Sequence, residues 1–150
     1  MQHWITDASR ITAIILYMSR IVDHMYQGDL FSQWLGIRRI EEGPGHCILE
    51  MNVRPEMVNG FSIAHGAITY ALADSALAFA SNSHGRKAVS IETSINHLQP
   101  VRAGDILRAI AEETSLTNKI GVYHIRVTRG AELVAHFKGV VYRKEEEWKV

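Results

Sequence analysis

A long apolar segment with a single carboxylate in its middle constrains this chain more than any other feature. Residues 59–85 read NGFSIAHGAITYALADSALAFASNSHG. From Ala67 to Ala80 the side chains leave no polar face at a helical period of about 3.6 residues, which is typical of a buried helix. Asp74 lies inside this helix, and an isolated carboxylate in an apolar setting costs on the order of several kcal/mol unless it is paired or used. The sequence therefore predicts a central buried helix that carries a functional acid.

The length and the charge balance indicate one globular domain without a nucleic-acid partner. A chain of 150 residues buries a core of its own and needs no second domain. The 16 basic and 16 acidic side chains give zero net charge. Neither sign forms a block, which disfavours a nucleic-acid binder held by phosphate contacts.

The cysteine count and the hydropathy pattern predict a cytoplasmic location. Cys47 is the single cysteine, so no internal disulfide is possible, and the N-terminus lacks the features of a signal peptide. The apolar run over residues 63–80 is the one candidate for a membrane span. His65 and Asp74 interrupt it, so we expect no contact with a membrane.

Apolar periodicity predicts the remaining helices and strands. The stretch from Asp7 to Gly28 has the spacing of an amphipathic helix that packs on the core or binds a partner, with Gly28 ending it in the left-handed conformation. Strand character is found over 31–40, 45–53, 88–98, 105–115, 120–129 and 133–143. Cys47 falls on the inward set of the second strand, which predicts a small buried side chain.

This order of elements predicts an α+β domain in which one antiparallel sheet lies against a helix. We assign 1–150 to a single domain, with an N-terminal helical segment over 1–30 and the core over 31–143. The charged tail over 144–150 is expected to be frayed.

Several short motifs resemble those of a known family. They are Asn59, His65-Gly66 at the start of the central helix, LAD at 72–74, AVS at 88–90 and P-x3-GD at 100–105. On these motifs, residues 31–143 resemble a hotdog-fold acyl-CoA thioesterase of the phenylacetic-acid-degradation (PaaI-type) group. The resemblance implies an antiparallel sheet wrapped around a long central helix, a homodimer and often a homotetramer. The family usually reads His-Gly-Gly, and Ala67 replaces the second glycine here.

The resemblance implies hydrolysis of an acyl-CoA thioester, and the chemistry of the matching residues suits that reaction. The N–H of Gly66, at a helix N-terminus, is suited to bind the oxyanion. Asp74 is suited to act as general base or as nucleophile, and both roles stay open. By resemblance, Asn59 and Ser90 orient the water or hold the carboxylate. His65 either positions the helix start or transfers a proton.

The spacing of Gly66 and Asp74 predicts that the active site is shared between two chains. Eight residues of helix separate their positions by about 12 Å along the axis. A single carbonyl group does not readily meet both. A two-fold axis would place Gly66 of one subunit opposite Asp74 of the other and create two equivalent sites.

Two other functions are compatible with the sequence. One is an acyl-thioester hydratase or dehydratase that uses His65 with Asp74, and the other is a non-catalytic acyl-CoA-binding module. The histidine spacing indicates no metal site, and coenzyme A is expected only as part of the substrate. Ala67, Tyr70 and Phe79 are candidates to shape an acyl pocket. The candidates to bind coenzyme A phosphates are Arg86, Lys87, Arg102, Arg126, Arg129 and Lys138.

Overall fold

The fold consists of three helices and six strands in a computed structural model that describes residues 7–150. The first six residues of the predicted N-terminal segment lie outside the described residues. The helices are α1 (Asp7–Gly28), α2 (Leu30–Leu35) and α3 (Gly66–Asn82). The strands are β1 (Arg38–Gly43), β2 (His46–Asn52), β3 (Arg86–His97), β4 (Ile106–Leu116), β5 (Ile120–Arg129) and β6 (Glu132–Glu147).

All six strands form one antiparallel sheet around the long helix α3. Their order is β1-β2-β4-β5-β6-β3. The helix α3 lies across one face of this sheet and contacts every strand. This is the α+β architecture predicted from the sequence, with the additional N-terminal helix α1. Within residues 7–150, no helix is both long and apolar enough to cross a membrane.

The sheet and α3 approach each other closely because small residues line their contact. Leu72, Ala73, Ala76 and Leu77 of α3 are almost completely buried. On β6, Gly139 faces Leu77, and a Cβ at this glycine would overlap the Leu77 methyl groups. The apolar helix predicted from the sequence is therefore confirmed, and it forms the centre of the core.

Strand β2 shows the alternation that the sequence predicts. Cys47, Leu49, Met51 and Val53 are buried against α3. Burial raises the pKa of the Cys47 thiol far above its ordinary value, because the thiolate would lose its hydration. Cys47 is therefore a small core side chain, as predicted.

The predicted strand over 31–40 is wrong in its first half, where the chain forms α2. Asp29 caps this helix, since its Oδ1 accepts a hydrogen bond from the N–H of Ser32 at 2.9 Å. Gly36, with φ 74°, closes it in the left-handed conformation. The strand begins only at Arg38. Local capping by Asp29 and Gly36 thus overrides the β propensity of the residues between them.

Helix α1 has the predicted bounds, but only its second half packs on the core. Ile21 and Val22 are fully buried, whereas Ile14 and Ile15 are about half exposed. Gly28 is the last helical residue and is not among the glycines with positive φ, so its predicted left-handed conformation is wrong.

The predicted frayed tail is also wrong, because β6 continues through it to Glu147. Strand β3 needs a partner along its whole length, and Arg86 pairs with Glu147 at its start. Trp148 then binds the end of α3: its Nε1 donates to Asn82 Oδ1 at 2.8 Å, and its backbone N–H donates to the carbonyl of Gly85 at 2.9 Å.

Candidate active site

The start of α3 is held in place by the loop that precedes it. The N–H of Ala64 donates to the carbonyl of Val101 at 2.7 Å, and the N–H of His65 donates to the carbonyl of Met57 at 2.9 Å. The first bond attaches the start of α3 to the segment that follows β3, and the second attaches it to the turn between β2 and α3. The first helical N–H groups are therefore presented in a fixed direction.

His65 caps α3 with its imidazole ring. As the N-cap residue it has φ −57° and ψ 137°, and its Nδ1 accepts a hydrogen bond from the N–H of Ala67 at 3.1 Å. In the neutral ring the proton then lies on Nε2. His65 is exposed and lines neither of the two cavities described below. This geometry fits the positioning role of the two roles that the sequence left open.

Gly66 presents a free backbone N–H at the positive end of the helix. The N–H of Ala67 is used by the His65 ring, and the N–H of Ile68 donates to the His65 carbonyl at 2.8 Å. Within the part of the chain that the structure describes, the N–H of Gly66 forms no hydrogen bond. This group is therefore available to a ligand oxygen, and the macrodipole of α3 favours negative charge there.

A cavity of about 430 Å³ lies beside Gly66, and Asn59 lines it too. Asn59 Oδ1 accepts a hydrogen bond from the N–H of Phe61 at 2.9 Å, which closes a local turn. Its side-chain amide N–H groups have no partner within residues 7–150 and remain as donors. Asn59 therefore closes a turn and keeps its amide N–H groups free at the cavity. We call this space the glycine cavity.

Asp74 lines a second cavity of about 270 Å³ together with Ser90, which we call the aspartate cavity. Asp74 is half-buried, and burial raises the pKa of its carboxyl group above the ordinary value. The cause is the loss of hydration of the ionised form. Among the described residues, no hydrogen bond or ion pair is formed by its carboxylate. A carboxylate held in this way is a strong acceptor for a ligand proton.

The structure thus divides the predicted site residues into two groups. Asn59 and Gly66 line the glycine cavity, whereas Asp74 and Ser90 line the aspartate cavity. No residue lines both. This separation agrees with the rise of about 12 Å along α3 between Gly66 and Asp74. Within one chain, the predicted oxyanion donor and the predicted acid therefore line different cavities.

Sequence reasoning missed two residues of the glycine cavity, Thr69 and His97. Both line it next to Gly66. Thr69 follows Gly66 by one helical turn, and His97 ends β3 just before the Pro100–Asp105 motif. The sequence carries no direct signal for His97, because it reaches the start of α3 only through the position of β3 in the sheet. The spacing of histidines along the chain does not report this.

Most of the basic candidates for phosphate binding have partners inside the chain. Arg129 pairs with Asp105 at 2.7 Å, and Lys138 pairs with Glu92 at 3.2 Å. Lys87 pairs with Glu146, and Arg86 donates to Asn118 and to backbone carbonyls. Among the described residues, Arg102 and Arg126 are the two of these candidates whose side chains form neither an ion pair nor a hydrogen bond. Arg102 directly follows Pro100 and Val101, which line the glycine cavity.

The aromatic candidates for an acyl pocket lie elsewhere. Phe79 is buried in the core, where its ring contacts Tyr26 at a centroid distance of 6.3 Å. Tyr70 binds Thr93, and neither it nor Ala67 lines either cavity. Within residues 7–150, no group of three or more His, Cys, Asp or Glu side chains is arranged to hold a metal ion.

The chain is similar to thioesterases in sequence. Residues 61–135 match the family model described as the thioesterase superfamily. The chain is 38% identical over 120 residues to the acyl-coenzyme A thioesterase PaaI of Escherichia coli K12, in an alignment that covers 79% of this chain and 86% of that protein.

Solved structures of PaaI proteins show the same architecture. The E. coli PaaI protein superposes with a TM-score of 0.87 and 32% identity, covering 89% of this chain and 98% of the other. A mutant of the phenylacetic acid degradation protein PaaI from Thermus thermophilus superposes with a TM-score of 0.76 and 35% identity, covering 77% and 100%. The similarity therefore extends over most of this chain and nearly the whole of both solved proteins.

The cap at the start of α3 is testable through stability. We expect His65→Ala to lower the free energy of unfolding by about 1 kcal/mol, because the N–H of Ala67 loses its acceptor, and His65→Asn to restore most of it. Urea unfolding followed by circular dichroism measures both. His46→Ala, which removes a partly exposed imidazole 3.2 Å from the exposed Glu41, is the control and should change little. Equal losses for His65→Ala and His65→Asn would contradict the capping role.

Proposed function

We propose, from the premise that the chain belongs to the thioesterase superfamily in its PaaI-type hotdog group, that this thioester hydrolase acts on acyl-CoA. It would convert an acyl- or aryl-acyl-CoA to the free acid and coenzyme A. The observation that carries the proposal is the unpartnered N–H of Gly66 at the start of α3. This donor has the geometry that a developing oxyanion needs.

The N–H of Gly66 stabilises the tetrahedral intermediate in this proposal. When a nucleophile attacks the thioester carbon, the carbonyl oxygen gains negative charge. A fixed N–H donor and the positive end of α3 stabilise that charge more than they stabilise the neutral carbonyl. Such a donor commonly contributes a factor of roughly a hundred to a thousand in kcat. Asn59, in the same cavity, supplies further N–H donors.

Asp74 supplies the basic or the nucleophilic group. Hydrolysis is chemically complete by either of these two routes. As general base it takes a proton from water while the water oxygen attacks the carbonyl carbon. As nucleophile its carboxylate forms a mixed anhydride that water then hydrolyses. In both routes the carbon–sulfur bond breaks and the coenzyme A thiolate takes up a proton. Ser90, which lines the same cavity, is placed to orient the water or the carboxylate.

The separation of the two cavities supports a homodimer with composite sites. Strand β3 is one of the two edges of the sheet: it pairs with β6 on one side, and no strand within residues 7–150 pairs with its other side. Its exposed Val89 and Ile91 suit a protein contact better than water. An unpaired edge of this length commonly pairs with another strand. A second copy of β3 is the partner that two-fold symmetry supplies.

The same two-fold axis would bring together unlike cavities of the two subunits, because it would pass near the middle of both α3 and β3. Along α3, the residue midway between Gly66 and Asp74 is Tyr70. Along β3, the middle of the segment between the two cavities is Thr93. The Tyr70 hydroxyl lies 2.7 Å from Thr93 Oγ1, so the residues near the middle of α3 and of β3 are in hydrogen-bond contact. An axis near this contact would bring the glycine cavity of one subunit to the aspartate cavity of the other. The homotetramer and the cytoplasmic location expected from the sequence stay predictions.

No observation favours the two alternative functions. The hydratase hypothesis pairs His65 with Asp74, but His65 is exposed, uses Nδ1 to cap α3 and lies outside both cavities. A binding module would have no use for a half-buried carboxylate with a raised pKa.

The first test of the function is thiol release from a panel of short, long and aryl acyl-CoAs, with enoyl-CoA hydration followed in parallel. We expect thiol release that falls as the pH drops through the raised pKa of Asp74, because only the carboxylate acts. This acid limb should lie above the value of about 3.9 for an ordinary aspartate. Asp74→Asn should keep substrate binding and lower kcat by orders of magnitude.

The matched control is Asp23→Asn, which removes an exposed carboxylate that pairs with Arg39 and should keep the wild-type turnover. Hydration without thiol release would exclude the proposed activity. Tight acyl-CoA binding with neither reaction would indicate a binding module.

The oxyanion role of Gly66 is testable with Gly66→Pro, which removes the backbone N–H donor. Proline suits this position, because it is the first of the helix and His65 already has the extended conformation of a residue before proline. Gly66→Ala is the matched control: it adds a Cβ next to His97, as proline does, but keeps the N–H. We expect kcat of Gly66→Pro to be roughly a hundredfold to a thousandfold below that of Gly66→Ala. Equal kcat values would remove the N–H from the mechanism.

Complementation tests the composite site. A mixture of Asp74→Asn and Gly66→Pro chains, after subunit exchange, should contain about half heterodimers, each with one intact site and one doubly damaged site. The thiol-release rate should therefore approach about a quarter of the wild-type rate. Mass spectrometry of differently tagged chains verifies the exchange. Verified exchange without recovered activity would place both groups within one chain.

A further inference from the structure

His97 has a position and a hydrogen-bond state that the mechanism above does not use. It is the last residue of β3 and lines the glycine cavity. Its ring lies across Gly66, with Nε2 3.1 Å from the place where a Cβ of Gly66 would be. A histidine nitrogen therefore lies beside the proposed oxyanion donor. Among the described residues, Nε2 has no hydrogen-bond partner.

Thr69 fixes which nitrogen of His97 carries the proton. The Thr69 hydroxyl donates its hydrogen to the carbonyl of Gly66 at 3.1 Å. The same Oγ1 lies 3.1 Å from His97 Nδ1. A hydroxyl has one hydrogen, so when both bonds are formed Oγ1 accepts the second one, and Nδ1 carries the proton and donates. In the neutral ring, Nε2 is then a hydrogen-bond acceptor at the glycine cavity.

His97 is exposed, so in the free protein Nε2 is open to water, and a bound substrate replaces that water with a donor of its own. The thioester itself offers none, since its carbonyl oxygen and its sulfur are both acceptors. In an acyl-CoA, the N–H nearest the reacting carbon belongs to the first amide of the thiol arm, which a two-carbon spacer joins to the sulfur. When the carbonyl is bound at Gly66, this amide is the nearest N–H that the substrate can offer to the imidazole of His97.

We propose that His97 is a specificity residue whose Nε2 accepts a hydrogen bond from the amide N–H nearest the thioester sulfur. The inference rests on the proposed thioesterase function and names the part of the substrate that the glycine cavity reads. The attacking water is a second possible donor. It is assigned to Asp74, whose carboxylate is half-buried and without a partner among residues 7–150. A role of His97 as base for that water is an outcome of the test.

The test compares two thioesters of one acyl group. The first is the N-acetylcysteamine thioester, which keeps the amide. The second is its analogue with a CH₂ group in place of the amide N–H. For the wild-type protein we expect kcat/KM, measured by thiol release, to favour the amide thioester about tenfold, the usual contribution of one hydrogen bond. His97→Phe should abolish this preference, and His97→Gln, which keeps an acceptor oxygen, should restore part of it.

His46→Phe is the matched control, because His46 starts β2 and lines neither cavity; it should keep the wild-type preference. Thiol release without a preference in the wild-type protein would overturn the inference. So would an equal loss on both thioesters in His97→Phe, which would assign His97 to the water. Absence of thiol release from both thioesters and from the acyl-CoA panel would instead overturn the proposed function on which the inference rests.

Discussion

The structure depends on covering a helix that is apolar on nearly every side. The sheet buries Leu72 and Leu77, and each such side chain contributes about 1.5 to 3 kcal/mol of transfer free energy. The short helix α2 contacts a second side of α3 through a hydrogen bond of 2.9 Å between the hydroxyls of Ser32 and Ser75. The side that remains faces β3 and holds Asp74. Burial there disfavours the ionised carboxylate and raises the pKa of Asp74, so this side of α3 is arranged at some cost to the stability of the chain at neutral pH.

Apolar periodicity predicted most of the fold because most helices and strands are long enough to show a clear apolar pattern. Strand β5 and helix α1 have the bounds that their apolar patterns indicate. The errors lie where a single contact decides the structure. Asp29 turns a segment with strand composition into α2 by capping it, and Trp148 holds a charged tail in place by binding Asn82. Local propensity reports neither contact. The Asp29 cap favours a helix where the composition favours a strand, and the bond between Trp148 and Asn82 joins residues far apart in the sequence.

The site was predictable where one residue type is chemically conspicuous in its surroundings. Asp74 stands out as a carboxylate within an apolar helix, and Gly66 as a glycine at a helix start. His97 does not stand out, because its role depends on the pairing of β3 with β6, which places it over the first turn of α3. The tautomer of its ring depends further on Thr69. Such relations exist only after the sheet has formed, so no spacing along the chain contains them.

The strand order has a consequence for the synthesis of the chain. Strand β6, the last along the sequence, lies between β5 and β3 in the sheet. From the time β3 leaves the exit tunnel until β6 does, β3 lacks this partner, and its exposed Val89 and Ile91 face the cellular environment. Pairing of this kind joins residues far apart in sequence and is slow to form. The nascent protein therefore passes through a stage in which β3 is open to aggregation, and the stage ends when β6 leaves the exit tunnel.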